Sequence, residues 1–140
     1  MNISISKVWF DNNCLCVSTS DGETHMLRLE IFPALYFATE EQRKDFHIWN
    51  QGRSIRWTII DEDICVEDLS TQDTVNYDNE VHRLISQFPY LDLKEFANYI
   101  GMHWTKLARY KFGVWTPSEE ELLVIRKGLH NIGTELLKAV

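Results

Sequence analysis

Cysteine is scarce in this chain, and the short motifs that announce nucleotide, dinucleotide or covalent chemistry do not occur in it. The three cysteines are Cys14, Cys16 and Cys65, and the C-x-C pair lies in an alternating apolar stretch where both thiols would share one face of a strand. A structural zinc site needs four suitably spaced ligands. No second Cys or His pair completes one, so reduced thiols and no bound metal are expected. No Ser or Cys nucleophile motif, P-loop or glycine-rich dinucleotide fingerprint is found, and no cofactor is expected. Runs of 18 or more apolar residues are also missing, which excludes a spanning helix. Met1 to Phe10 alternates polar and apolar residues and carries Lys7 late, unlike a secretory signal, so a cytoplasmic location without membrane contact is expected. No internal repeat or low-complexity segment occurs.

What remains is 140 residues, 44% hydrophobic and 25% charged, enough for one ordinary domain or two small ones. The net charge of −7 argues at first against a nucleic-acid partner. The charge is unevenly spread. Residues 1–76 hold six Lys/Arg against thirteen Asp/Glu, whereas residues 77–140 hold eight of each. Between Gly101 and Pro117 stand Lys106, Arg109 and Lys111 with no acid among them.

The first part reads as strands with one helix. Ile3 to Val8 alternates, Asp11-Asn12-Asn13 is a turn triplet, Cys14 to Thr19 alternates again, and Ser20-Asp21-Gly22 signals a hairpin before Glu23 to Ile31. A three-strand meander follows from this, ended by Pro33. Thr39 with Gln42 forms a capping box for a helix through Phe46 or Trp49. Ile55 to Ile60 reads as a strand with Ile55, Trp57 and Ile59 on one face, and Ile64 to Leu69 as another. Trp9, Trp49 and Trp57 are candidates for this domain's core. The polar stretch Ser70 to Asp78 places a domain boundary near residue 76.

Beyond it the period becomes helical. Val81, Leu84, Ile85 and Phe88 mark an amphipathic helix stopped by Pro89. Asp92 with Glu95 opens a second helix that ends at Gly101, and a third runs from about His103 to Lys111, closed by Gly113. Thr116-Pro117-Ser118-Glu119 supplies an N-cap, a proline at the first helical position and an acid for a fourth. Gly133 separates a fifth, Thr134 to Val140. The expected fold is therefore a two-domain α+β protein, a small antiparallel-sheet domain with one helix followed by an all-α five-helix bundle.

Within the second part, Leu93, Ala97, Gly101 and Leu107 meet the demands of two helices crossing steeply through a three-residue turn. Ala97 is small at the crossing, Gly101 suits a left-handed backbone, and Leu107 fills the space between the helices. Phe96, Ile100, Met102 and Tyr110 take the other inward positions. From Gly101 to Ser118 this segment resembles the signature of lambda repressor-like regulators of the xenobiotic-response-element type. The resemblance covers about 60 residues from Val81 onward. It implies a helix-turn-helix whose second helix enters the major groove of double-stranded DNA. Carried over by position, His103, Trp104, Thr105, Lys106 and Arg109 would face the DNA. Lys94 would flank a phosphate at the preceding helix start, and Lys111 would add charge. Leu93 stands where the family often has Gln, His103 where a small polar residue is usual, and Val114-Trp115 where a basic pair is usual. Few phosphate-reaching cations imply weak binding by one copy, and hence a homodimer. The alternative from the same residues is a protein-docking module, with Trp104, Val114 and Trp115 as an apolar patch.

In the first part, Pro33, Thr39-Glu-Glu-Gln-Arg, Phe46, Gly52-x-x-Ile55-x-Trp57 and Asp61-Glu62-Asp63-Ile64-x-Val66-Glu67-x-Leu69 are similar to a small bacterial α+β family of unknown function. Some members carry a repressor-like domain behind them, and others stand beside a second small protein in arrangements suggestive of toxin–antitoxin pairs. The resemblance implies a protein partner for this domain and an antitoxin or autoregulatory role. An enzyme is not expected. Asp61 and Asp63 are the one candidate carboxylate pair for a metal, and a solvated acidic loop is the simpler reading. His25, His47, His82 and His130 belong to no motif.

Overall fold

A computed structural model describes residues 2–140. The chain divides into two compact units, Met1–Thr74 and Val75–Val140. The first is built of antiparallel strands with short helices and the second is helical, an α+β chain. Among the described residues, no helix is long and apolar enough to cross a membrane.

In the first unit, β1 (Ile5–Asp11), β2 (Cys14–Thr19) and β3 (Thr24–Arg28) form the expected meander. Asp11 pairs with Cys14, and both turn residues, Asn12 and Asn13, have positive φ. A tight two-residue hairpin requires that conformation, and Asn adopts it at low cost. Leu15, Cys16 and Val17 on the central strand are all buried, so both faces of β2 are covered and its alternation is silent.

Pro33 does not simply end this segment. After a 3-10 turn at Leu29–Ile31 it opens a short helix, α1 (Pro33–Tyr36), at the position where its missing N–H costs nothing. The capping box at Thr39 and Gln42 forms as expected, with both reciprocal bonds in place. Its helix, α2 (Glu40–Lys44), stops well before Phe46. Asp45 leaves the helical region, the Trp57 indole N–H donates to the Arg43 carbonyl at 2.9 Å, and the Phe46 ring packs on Trp57. The residues beyond become a strand that sequence reasoning missed, β4 (His47–Trp49).

With β5 (Ser54–Trp57) and β6 (Glu62–Cys65), β4 makes a second three-stranded antiparallel sheet in the order β4-β5-β6. Ile55 and Trp57 are fully buried, but the strand ends there and Ile59 is 71% exposed, because the chain turns back through Asp61 at φ +52°. The expected strand at Ile64 to Leu69 is four residues of β6 followed by a 3-10 turn, Val66–Ser70. Trp57 alone of the three candidate tryptophans is core. Phe10 of β1 meets its ring edge-on, while Trp49 is 46% exposed and Trp9 is half-buried under Lys7. Ile5 donates to the Gly52 carbonyl at 2.7 Å, which ties the two sheets together.

The second unit has four helices among the described residues: α3 (Glu80–Ser86), α4 (Leu93–Ile100), α5 (Trp104–Lys111) and α6 (Glu119–Ala139). The expected fifth helix is absent because α6 runs straight through Gly133. A mid-helix glycine costs about 1 kcal/mol relative to alanine but imposes no break when its neighbours stay helical. The start of α6 also differs from the expectation. Ser118, not Thr116, is the N-cap, and Pro117 lies before the helix. Val81, Ile85, Phe96, Ala97, Leu107, Tyr110 and Ile125 form one buried cluster.

Candidate nucleic-acid interface

The α4–α5 pair sets the site. Asp92 caps α4 by accepting from the Glu95 N–H at 2.9 Å, and Gly101 closes it in the left-handed region at φ +73°. Met102 N–H returns to the Ala97 carbonyl at 2.9 Å, so the turn is pinned on the fully buried Ala97. His103 then starts α5 as its N-cap, its Nδ1 accepting from Thr105 N–H at 3.3 Å and lying 2.7 Å from Thr105 Oγ1. Leu107, Ala108 and Tyr110 point inward. Thr105, Lys106 and Arg109, spaced at i, i+1 and i+4, are left on the outer face of α5.

The far end of α5 is held by a close backbone approach. Gly113 has φ +71°, and a Cβ there would lie 1.8 Å from the Asn76 carbonyl oxygen. Only glycine fits. Asn76 N–H donates to the Phe112 carbonyl at 2.9 Å, and the Asn79 side chain donates to the Lys111 carbonyl at 3.0 Å. Lys111 is half-buried at this strap rather than set on the outer face.

Each remaining cation meets a neighbour. Lys94 on α4 places its ammonium 4.4 Å from the centre of the Trp104 ring, on which His103 also stacks. The Arg109 guanidinium lies 4.6 Å from the centre of the Trp115 ring, itself 42% exposed. Lys106 instead forms an ion pair, with its Nζ 2.5 Å from Glu121 Oε2. The other oxygen of Glu121 accepts from the Tyr110 hydroxyl at 2.8 Å and from Ser118 Oγ at 3.3 Å. The Glu121 carboxylate holds Lys106 above the ordinary lysine value. Lys106, and after it Tyr110, hold Glu121 below the ordinary carboxylate value. Burial, then the same carboxylate, pushes Tyr110 up.

Six of the seven expected site residues thus fall into three groups: Lys94 with His103, Trp104 and Thr105; Lys106 by itself at α6; and Arg109 beside Trp115. Lys111 stands at the strap. Sequence reasoning missed Glu121. It reads as a helix-start acid, three residues after Ser118, and nothing in linear spacing shows that α6 returns it to α5. The acid-free stretch from Gly101 to Pro117 accordingly acquires a carboxylate in space.

The other candidate groups have simple surroundings. Asp61 pairs with Arg56 at 2.8 Å, and Asp63 stands across from Arg56 in the β5–β6 register while accepting from Trp49 Nε1 at 3.4 Å. Among the described residues, no group of three or more His, Cys, Asp or Glu side chains could hold a metal ion. Cys14, Cys16 and Cys65 are free thiols, and burial pushes the Cys16 thiol up.

Residues 5–74, the strand-built unit, match the family described as "Protein of unknown function (DUF2442)". The chain belongs to this family. No curated protein and no solved structure matches it.

Proposed function

We propose that the DUF2442 chain is a small transcriptional regulator that binds double-stranded DNA through its second unit, with α4 and α5 as a repressor-type helix-turn-helix. The observation that carries this reading is the outer face of α5. Thr105, Lys106 and Arg109 project from it, and Lys94 and His103 stand at its N-terminal end. Thr105 and His103 offer hydrogen-bonding groups to base edges or phosphates, Arg109 suits a guanine edge, and Lys94 and Lys106 suit phosphates. Cation–π contacts at exposed sites are worth about 0.5–1 kcal/mol, so Lys94 can leave its ring for a phosphate.

With so few cations, one copy binds weakly, and a homodimer reading two half-sites reaches useful affinity. The acidic first unit is suited to a protein partner rather than to DNA, consistent with an antitoxin or autoregulatory role in the cytoplasm. A second reading has one observation in its favour: Trp115 stands exposed beside Arg109, as expected of an aromatic on a protein-docking face.

The test is fluorescence anisotropy with DNA from upstream of the coding sequence, across a salt series. Lys106→Ala with Arg109→Ala is expected to weaken binding at least tenfold at low salt and to flatten the salt slope by at least about 0.9, the increment of one phosphate. Equal binding by the double mutant removes α5 as the reader. No binding by the wild type removes the DNA reading and favours the docking face.

A further inference from the structure

We infer that Glu121 is a built-in competitor for the phosphate that Lys106 would hold, and that its carboxylate sets the affinity of the α5 surface for the DNA backbone. The inference rests on the DNA-binding reading of α5. The three cations nearest the α5 helix face are not held alike. Lys94 lies against a neutral indole ring, which leaves its positive charge to attract an anion, and Arg109 lies over the ring of Trp115. Lys106 lies against a carboxylate, which cancels it.

That carboxylate is not a loose surface group. Its position is fixed from α5 by the Tyr110 hydroxyl and from the start of α6 by Ser118, which also caps the Glu121 N–H at 3.1 Å. Lys106 pays little entropy to meet an acceptor already in place, unlike the two long side chains of an ordinary exposed pair. Lys106 first, and then Tyr110, hold Glu121 below the ordinary carboxylate value and keep the competitor ionised at neutral pH. A DNA phosphate approaching Lys106 Nζ would take the place of Glu121 Oε2, and two anions cannot share that position without repulsion. Binding therefore needs Lys106 to exchange one anion for another, with no net gain of a neutralised phosphate.

Glu121→Gln tests this in the full chain. Glutamine keeps an oxygen for Tyr110 and Ser118 but releases the lysine. The probe is a fluorescein-labelled random-sequence duplex, because a backbone contact is indifferent to sequence. Glu121→Gln is expected to tighten binding about tenfold at about 50 mM salt and to steepen the salt slope by about 0.9, the increment of one phosphate. The gain should vanish in a Lys106→Ala background. Glu120→Gln, which removes the same charge one residue away, should reproduce little of it. Circular dichroism confirms that each variant is folded.

Wild-type binding that Glu121→Gln leaves unchanged overturns the competitor while sparing the DNA reading. So does an equal gain in the Lys106→Ala background, or with Glu120→Gln, because general charge removal would then explain it. No binding by wild type or variant at low salt overturns both.

Discussion

Asp21 closes the turn between β2 and β3 with its own side chain. Its carboxylate accepts from Thr19 Oγ1 at 2.5 Å and from the Glu23 N–H at 3.2 Å, while Gly22 supplies the positive φ. The Thr19 bond, followed by the Glu23 N–H, holds Asp21 below the ordinary aspartate value. A carboxyl depressed by folding stabilises the native state fully above its unfolded value of about 3.9, and that contribution disappears as pH falls through the lower folded value. Asp21→Asn keeps an acceptor oxygen but loses the charge. The variant is expected to melt below wild type near neutral pH, and the gap is expected to close as pH drops below about 4. Melting curves of the strand signal at several pH values check this. A gap that is constant with pH would assign the effect to turn geometry instead of charge. The same residue-scale logic separates Lys106 from Lys94: the chemistry of the nearest group, carboxylate or ring, decides how much charge a side chain offers outward.

At the scale of elements, the two glycines of α6 have opposite environments. A Cβ on Gly128 would meet Ile100 Cγ2 at 2.3 Å and the Phe96 ring at 3.3 Å, whereas Gly133 has nothing within 4 Å. Gly128→Ala overpacks the α4–α6 contact and is expected to cost about 1–3 kcal/mol. Gly133→Ala removes a flexible point from an open helix interior and is expected to add about 0.5–1 kcal/mol. Chemical denaturation followed by the helical signal measures both, and a destabilising Gly133→Ala would mean that the helix needs that flexibility.

Local signals of this kind made much of the fold legible. The Asn12-Asn13 turn, the Thr39–Gln42 box, the left-handed Gly101 and the inward Ala97 and Leu107 are each dictated by chemistry within a few residues. Where reasoning from the chain alone went astray, distant partners decided. Trp57 takes the Arg43 carbonyl and Phe46 packs on its ring, so α2 ends and His47 to Trp49 pairs with β5. The covering of both faces of β2 erased its period, and Thr116 yielded the cap to Ser118. The candidate site divided in the same way. The face of α5 follows from its periodicity, but Glu121 reaches it only through the path of α6.

At the scale of the whole molecule, charge is divided between the units. Residues 1–74 contain six Lys/Arg and thirteen Asp/Glu, and residues 75–140 contain eight of each. A polyanion would therefore be repelled by the first unit, whereas the cations proposed to meet it stand on the second, which carries no net charge. The second unit has its own core of Val81, Ile85, Phe96, Ala97, Leu107, Tyr110 and Ile125 and so can be prepared as a fragment. Repulsion from the tethered acidic unit is screened over about 10 Å at 0.1 M salt and over about 30 Å at 0.01 M. The fragment 75–140 is accordingly expected to bind duplex DNA several-fold more tightly than the full chain at about 0.01–0.02 M salt, with the difference shrinking to nothing above about 0.2 M. Anisotropy on both proteins across the salt series measures it. A full chain that binds more tightly at every salt concentration would mean that the first unit supplies something electrostatics does not, and sedimentation would identify it. If the full chain is then a dimer and the fragment a monomer, the DUF2442 unit contributes the dimer contact that gives α5 its second half-site. If both are monomers, the acidic unit itself contacts the DNA, contrary to the division of charge.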